Sequence, residues 1–335
     1  MKEAVNYAKY IPGQQQGHYE SFFMRANHPT LAQAFWIRYT IFSPHQHPEK
    51  AIGELWAIYF DGITNKHTAV KSEVPFTAQN CVFARQHFFV QMGDSVLQPG
   101  VLSGHASSSG NTIAWDLKFE GNEQPLFALP ENLYEGSFPK AKLLVSLPLA
   151  VFKGNLKINS QLIDINGWIG SQNHNWGVKH TDHYAWGQVA GFDNYPGSFL
   201  EVSTARLKMG PIWTPFMTLM VLRHRGREFR LNSIFQALKA DGRFSYFDWK
   251  FHSKNAVVEI TGSITASKKD FVGLRYYNPP GGIKHCLNTK IAACKLTVRC
   301  RSEAGEWVED TLETTNRAAF EILTDDAGHG IELRA

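Results

Sequence analysis

The sequence is short of cysteine, short of net charge, and lacks any long apolar run. Four cysteines in 335 residues (Cys81, Cys286, Cys294 and Cys300) form no C-x-x-C pair. That is too few for a disulfide scaffold, and it points to free thiols in a reducing, cytoplasmic setting. A formal charge of +4, with Arg223, Arg225, Arg227 and Arg230 alternating along a hairpin-like rim, gives no footprint for nucleic acid. The longest apolar stretch, Pro215 to Leu222, is far too short to span a bilayer, and the polar stretch Met1 to Glu20 has no signal-peptide core. Stable membrane insertion is not expected. No G-x-S-x-G elbow, P-loop or G-x-G-x-x-G occurs, which speaks against hydrolase, kinase and dinucleotide chemistry.

What the chain does have is rings. Aromatic residues make up 13% of it, including 23 Phe and 9 Trp, and such side chains need a large core or a ligand to pack against. Most segments alternate apolar and polar residues, or run β-branched and aromatic between Gly, Asn, Asp and Pro. Strands are therefore predicted at Phe35 to Phe42, Glu54 to Phe60, Thr112 to Phe119, Phe199 to Leu207, Pro215 to Arg223, Phe244 to Phe251 and Val257 to Ala266. Two more are predicted at Lys295 to Arg301 and Arg317 to Leu323. The only helix candidate of note is Thr77 to Phe88, and Leu156 to Gly167 reads as a hairpin with an Asn-Ser turn. Many strands without crossover helices give an all-β fold class built from antiparallel barrels. The length favours two domains, divided near Asp182 into residues 1–182 and 183–335. Trp115 to Phe119 echoes Phe247 to Phe251, which suggests an internal repeat.

Residues Gly167 to Asp193 carry the functional signal, with three Trp, three His and five Gly in 27 positions. A pocket wall tolerates both rings and polar atoms, whereas a plain core strand or a solvated loop does not. If Tyr184 to Val189 is extended, Tyr184, Trp186 and Gln188 share one face, a plausible barrel lumen, and the small residues behind them leave room for close approach. In the next strand Glu201 shares a face with Phe199 and Ser203, where partial burial raises a carboxyl pKa and makes it a usable acid. Asp182 and Asp193 are reserve acids. His174, His180 and His183 lack a metal-ligand pattern, so neither a metal nor a cofactor is expected. Against the pocket stands the plainer reading, in which His174 and Trp176 plug a barrel end and bond to backbone.

The stretch Gly170, Asn173, His174, Trp176 and Gly177, followed by aromatic-x-Trp-Gly at Tyr184 to Gly187, resembles the AttH-like and carotenoid 1,2-hydratase-like (hydroxyneurosporene synthase) group. It is more distantly similar to tocopherol cyclases and certain fungal Diels–Alderases. Glu20 to Arg25 and Trp115-Asp116 carry the same likeness into the first half. The resemblance implies two consecutive lipocalin-like (calycin-like) barrels and water addition or ring closure on a polyene or prenyl chain. It implies His174 and Trp176 as the catalytic pair, with Phe199-Leu200-Glu201 standing where the hydratases carry Tyr-x-Asp; the acid is kept and the phenol is lost. The site predicted from sequence is thus His174, Trp176 and Glu201 for catalysis, with Asn173, Tyr184, Trp186, Gln188 and Phe199 binding a small apolar ligand. A carrier of lipids or apolar metabolites is the alternative, and an interaction scaffold whose aromatics are all core ranks last. Oligomeric state is not readable from the sequence.

Overall fold

The computed structural model describes residues 3–302 and 304–335; Met1 and Lys2, at the head of the polar N-terminal stretch, lie outside the described residues. The principal strands of the first half are β1 (His18–Asn27), β2 (Gln33–Ser43), β3 (Ile52–Asp61), β4 (Thr68–Pro75), β5 (Val101–Ser108), β6 (Asn111–Glu120), β7 (Ala141–Ile158) and β8 (Trp168–Gly177). Those of the second half are β9 (His183–Ala190), β10 (Phe199–Arg206), β11 (Met217–His224), β12 (Arg227–Leu231), β13 (Asp248–Lys254), β14 (Val258–Thr265), β15 (Ile283–Arg301) and β16 (Trp307–Thr324).

The sheet orders reveal one winding used twice. The 13-stranded sheet runs β4-β3-β2-β1-β8-β7-β6-β5 and then through short strands to Cys81–Phe83; the 10-stranded sheet runs β12-β11-β10-β9-β16-β15-β14-β13 and ends at Asp241–Ser245. In each, a four-strand meander is closed by the last strand pairing with the first. The first sheet curls until β4 meets β5, where the Lys71 N–H donates to Ser108 Oγ (3.0 Å) and the Ser72 hydroxyl to the Ser107 carbonyl (3.3 Å). The fold is two consecutive lipocalin-like antiparallel barrels.

Three apolar clusters follow from this arrangement. One fills the first barrel around Phe22, Tyr39, Trp115 and Trp168, a second fills the other barrel around Trp249, Phe251 and Phe320, and a third lies between them around Phe23, Trp36, Trp56, Trp186 and Tyr276. Because both barrels need cover at the seam, β1 is buried on both faces along its whole length. Alternation sends Phe22 and Met24 into the first barrel and Phe23 into the seam. Gly170 permits this closeness: a Cβ there would sit 1.8 Å from the Arg25 carbonyl oxygen of the paired strand.

Most strand predictions agree with the observed strands to within a few residues; Lys295 to Arg301 and Arg317 to Leu323 are only the ends of the long strands β15 and β16, and three further differences are instructive. Thr77–Phe88 forms turns and the short strand Cys81–Phe83 instead of a helix, since Phe83 and Phe88 both pack back on Phe22 at about 6 Å. Phe244–Phe251 is two strands, broken by a turn in which Phe247 takes φ 78°. The matched pentads are one strand out of step: Trp115 lies on β6, whose equivalent is β14, whereas Trp249 lies on β13. Among the described residues, no helix is long and apolar enough to cross a membrane. Gly170→Ala is expected to cost about 3 kcal/mol or more, because the atom it meets is ladder backbone with no freedom to yield; urea unfolding of the variant measures this.

Candidate functional site

The alternation of β8 divides the ring-rich segment between two environments. His174 points into the first barrel, fully buried, stacked on Phe22 with centroids 4.1 Å apart and 4.6 Å from the Trp176 ring. Its Nε2 lies 2.8 Å from Glu20 Oε1 and its Nδ1 2.7 Å from the Val5 carbonyl oxygen. Both ring nitrogens therefore face oxygen partners. Glu20 also accepts the backbone N–H groups of Lys9 and Tyr10 and lies 3.1 Å from His18 Nε2. Burial pushes the Glu20 carboxyl up, yet the hydrogen bonds and charge of His174 and His18 outweigh it and hold the pKa at about 2. This cluster pins the N-terminal segment across the barrel end. Trp176 is half-buried beside it, near Tyr134 and Lys9.

The other face of β8 meets β9 and β10 across the seam. The Ser171 hydroxyl donates to Gln188 Oε1 (2.6 Å), while the Gln188 amide donates to Asn173 Oδ1 (2.8 Å) and to Glu201 Oε2 (2.9 Å). The other Glu201 oxygen accepts the Trp186 indole N–H at 2.5 Å. Burial raises the Glu201 pKa to about 7 in spite of those two donors and the Arg25 charge. Fully buried Arg25 donates to Asn27 and to the Arg317 carbonyl, but its Nε and Nη2 have no partner.

Beside this ladder lies a half-open cavity of about 110 Å³. Phe23, Trp36, Tyr184, Trp186 and Tyr276 supply rings, and Arg38, Lys142 and Glu321 supply charge. His180 also lines it, stacked on Tyr19 at 3.9 Å; burial first, and then the Arg38 charge, lowers its pKa to about 3, so the ring is neutral. Glu321 accepts from the Cys286 thiol (3.1 Å) and lies 3.7 Å from Lys290 Nζ. Lys290 is fully buried between the Trp36 and Trp186 rings, and burial lowers its pKa to about 8.

Of the residues predicted from sequence, Tyr184 and Trp186 line this cavity. Glu201, Gln188 and Asn173 form the hydrogen-bonded layer behind Trp186, and Phe199 packs with Leu126, Val145 and Val221 elsewhere along the seam. His174 and Trp176 lie on the far side of β8, so the structure does not bring His174 and Glu201 to one space. The expected lumen face of β9 looks onto the seam, and the room behind Gly187 takes the Trp249 and Ile264 side chains in place of a strand. His174, His180 and His183 diverge, the last with Nδ1 3.1 Å from the Leu323 carbonyl oxygen. Asp182 bonds the Lys208 N–H and pairs with Lys179, and Asp193 pairs with Arg317. Sequence reasoning missed Arg38 and Glu321. Arg38 is the lone charge of β2 and Glu321 the one charge in the run Ala318 to Leu323 of β16, and that was the available signal.

Solved structures share this architecture. A protein described as a candidate AttH from Nitrosomonas europaea superposes with a TM-score of 0.59 at 11% identity, over 95% of this chain and 98% of that one. Kievitone hydratase from Nectria haematococca gives 0.54 at 11% identity, over 96% and 95%. What they have in common with this chain is the fold. Two uncharacterized proteins of Mycobacterium tuberculosis, from strains CDC 1551 / Oshkosh and H37Rv, are 26% identical over 197 residues, and the match spans 58% of this chain and 58% of each relative's length. No family model matches the chain.

Two pH effects of opposite sign are expected. The Glu20 pKa is depressed, so its contribution, on the order of 3 kcal/mol, is present above about pH 4.5 and is lost as pH falls towards 2. Glu20→Gln should remove that acid-side transition and lower stability at pH 7. The Glu201 pKa is raised, so the folded state holds a proton the unfolded chain has released. Stability should therefore fall by a similar amount between about pH 4.5 and 7 and level off above. Urea unfolding at pH 5 and pH 8 should show this slope in the wild type and a flatter one in Glu201→Gln.

Proposed function

We propose that the protein binds a small, unsaturated apolar molecule at the seam between its barrels and acts on it by acid catalysis, adding water or closing a ring. The observation that carries this reading is the cavity walled by Phe23, Trp36, Tyr184, Trp186 and Tyr276 with a carboxyl group, Glu321, in the same wall. Ring faces stabilise a developing cation, a carboxyl group moves the proton, and Ser21, Asn175 and Ser203 in the wall can hold a water. Glu201, with its pKa near 7, is the second acid, coupled to the site through the Trp186 indole. In this reading His174 and Trp176 act from behind β8, holding Asn173 and Asn175 in place. Its volume of about 110 Å³ compares with roughly 150 Å³ for an apolar cavity that admits benzene. One ring or one isoprene unit therefore enters, and the rest of an isoprenoid or polyene lies in the mouth. The similarity in fold to kievitone hydratase makes water addition a fitting chemistry. Four unpaired, buried cysteines support a cytoplasmic location.

A carrier is the second reading, and one observation favours it: both Glu201 oxygens are already occupied by donors. The test is mass spectrometry of small molecules released from gently purified protein, followed by re-addition of what is recovered. Trp186→Ala is expected to lower affinity at least about 10-fold by removing a wall of the cavity. Glu321→Gln is expected to keep affinity and lose turnover. Binding without product in the wild type selects the carrier, and nothing bound with no response to Trp186→Ala contradicts both readings.

A further inference from the structure

The seam-facing side of β2 carries a row of donors with nothing to donate to. At period two along the strand, Trp36, Arg38 and Thr40 turn the same way, and all three are buried. The Trp36 indole N–H and the Thr40 hydroxyl have no hydrogen-bond partner. Among the described residues Arg38 has neither hydrogen bond nor ion pair. Its guanidinium stacks on the Tyr276 ring at 4.5 Å and lies 5.8 Å from the Trp36 ring. Trp36 and Arg38 line the seam cavity, and Arg38 and Thr40 line a recess of about 10 Å³ that shares Tyr19, His180 and Tyr276 with it. Buried polar groups are nearly always hydrogen-bonded, and a buried guanidinium with no hydrogen bond at all is unusual. Three such groups in one row mark a place where something else supplies the acceptors.

The surrounding charges fix the sign. Glu54 pairs with Lys71 at 2.6 Å, Glu321 stands 3.7 Å from Lys290, and Lys142 donates to the Pro139 carbonyl. Burial lowers the Arg38 pKa, but Tyr276, Glu54 and Glu321 outweigh it and raise the value. The two carboxylates act from beyond ion-pair distance and the lysines stand nearer to them, so the guanidinium keeps its hydrogen-bonding fork free. We propose that the molecule held in the seam is a monoanion, an aromatic or unsaturated carboxylic acid whose carboxylate is gripped by Arg38 while its apolar body lies among Phe23, Trp186 and Tyr276. The planar guanidinium fork matches a carboxylate in two parallel hydrogen bonds. One guanidinium with its fork free, with the Glu321 carboxyl in the same wall, suits the single charge of a carboxylate better than a phosphate.

This inference rests on the seam being the binding site, and the experiment separates the two claims. Benzoate and cinnamate are titrated against their neutral amides, benzamide and cinnamamide, by calorimetry and tryptophan fluorescence. Each acid is expected to bind at least about 10-fold more tightly than its amide, the scale of one charged hydrogen bond. In Arg38→Met that preference disappears while amide affinity stays. Arg38→Lys, which keeps the charge and loses the fork, retains part of the preference and serves if the Met variant does not fold. Equal binding of acid and amide in the wild type, or a preference that survives Arg38→Met, overturns the inference; amide binding that is lost in Trp186→Ala would then leave the seam site standing. If neither class binds, both claims fall.

Discussion

One side-chain amide ties this molecule together. Gln188 sits on β9 with no solvent access and spends both ends across the seam, accepting from Ser171 and donating to Asn173 and to Glu201. The constraint behind it is geometric. Each barrel offers the other a strand already buried on its inner face, so the outer face must be buried too, and every polar atom on it needs a partner there. The amide meets that demand for two strands of one barrel's edge and one of the other's. It also sets the Trp186 ring, through their shared carboxylate, as a wall of the cavity.

The seam is thus a second core with polar content, and its electrostatics differ from those of the barrel interiors. Inside the first barrel the charges are closed on themselves: Glu20 is surrounded by donors and sits far below the usual carboxylate range. At the seam the balance is open. Glu201 is pushed up, Lys290 and Arg25 are pushed down, and Arg38 is left without a direct ion pair. Buried groups held away from their ordinary protonation, next to a hollow, are the usual mark of a working site. The pinned cluster around His174 has the opposite character and serves to hold the N-terminal segment down.

The architecture was legible in the sequence because alternation and turn residues are local properties. The β-class, most strands and the ring-rich segment at Gly167 to Asp193 all follow from them. What alternation cannot say is what a face meets. It placed Tyr184, Trp186 and Gln188 together, but the space they look onto is made by β1, β2 and β16, which are remote in the chain. The same parity separates His174 from Asn173 by one residue and by the whole thickness of a sheet. Arg38 and Glu321 were passed over because each is a single charge within a local apolar run, unremarkable until the strands on either side are known.

The central claim is that the seam, and not the barrel beside His174, holds the hollow that takes an apolar guest. Diffraction from crystals pressurised with xenon tests it most directly, since xenon enters apolar cavities without needing a known ligand. The account expects a xenon peak among Phe23, Trp36 and Trp186, weakened when Trp186→Phe reshapes the wall. A xenon site against His174 and Phe22 with none at the seam would contradict it.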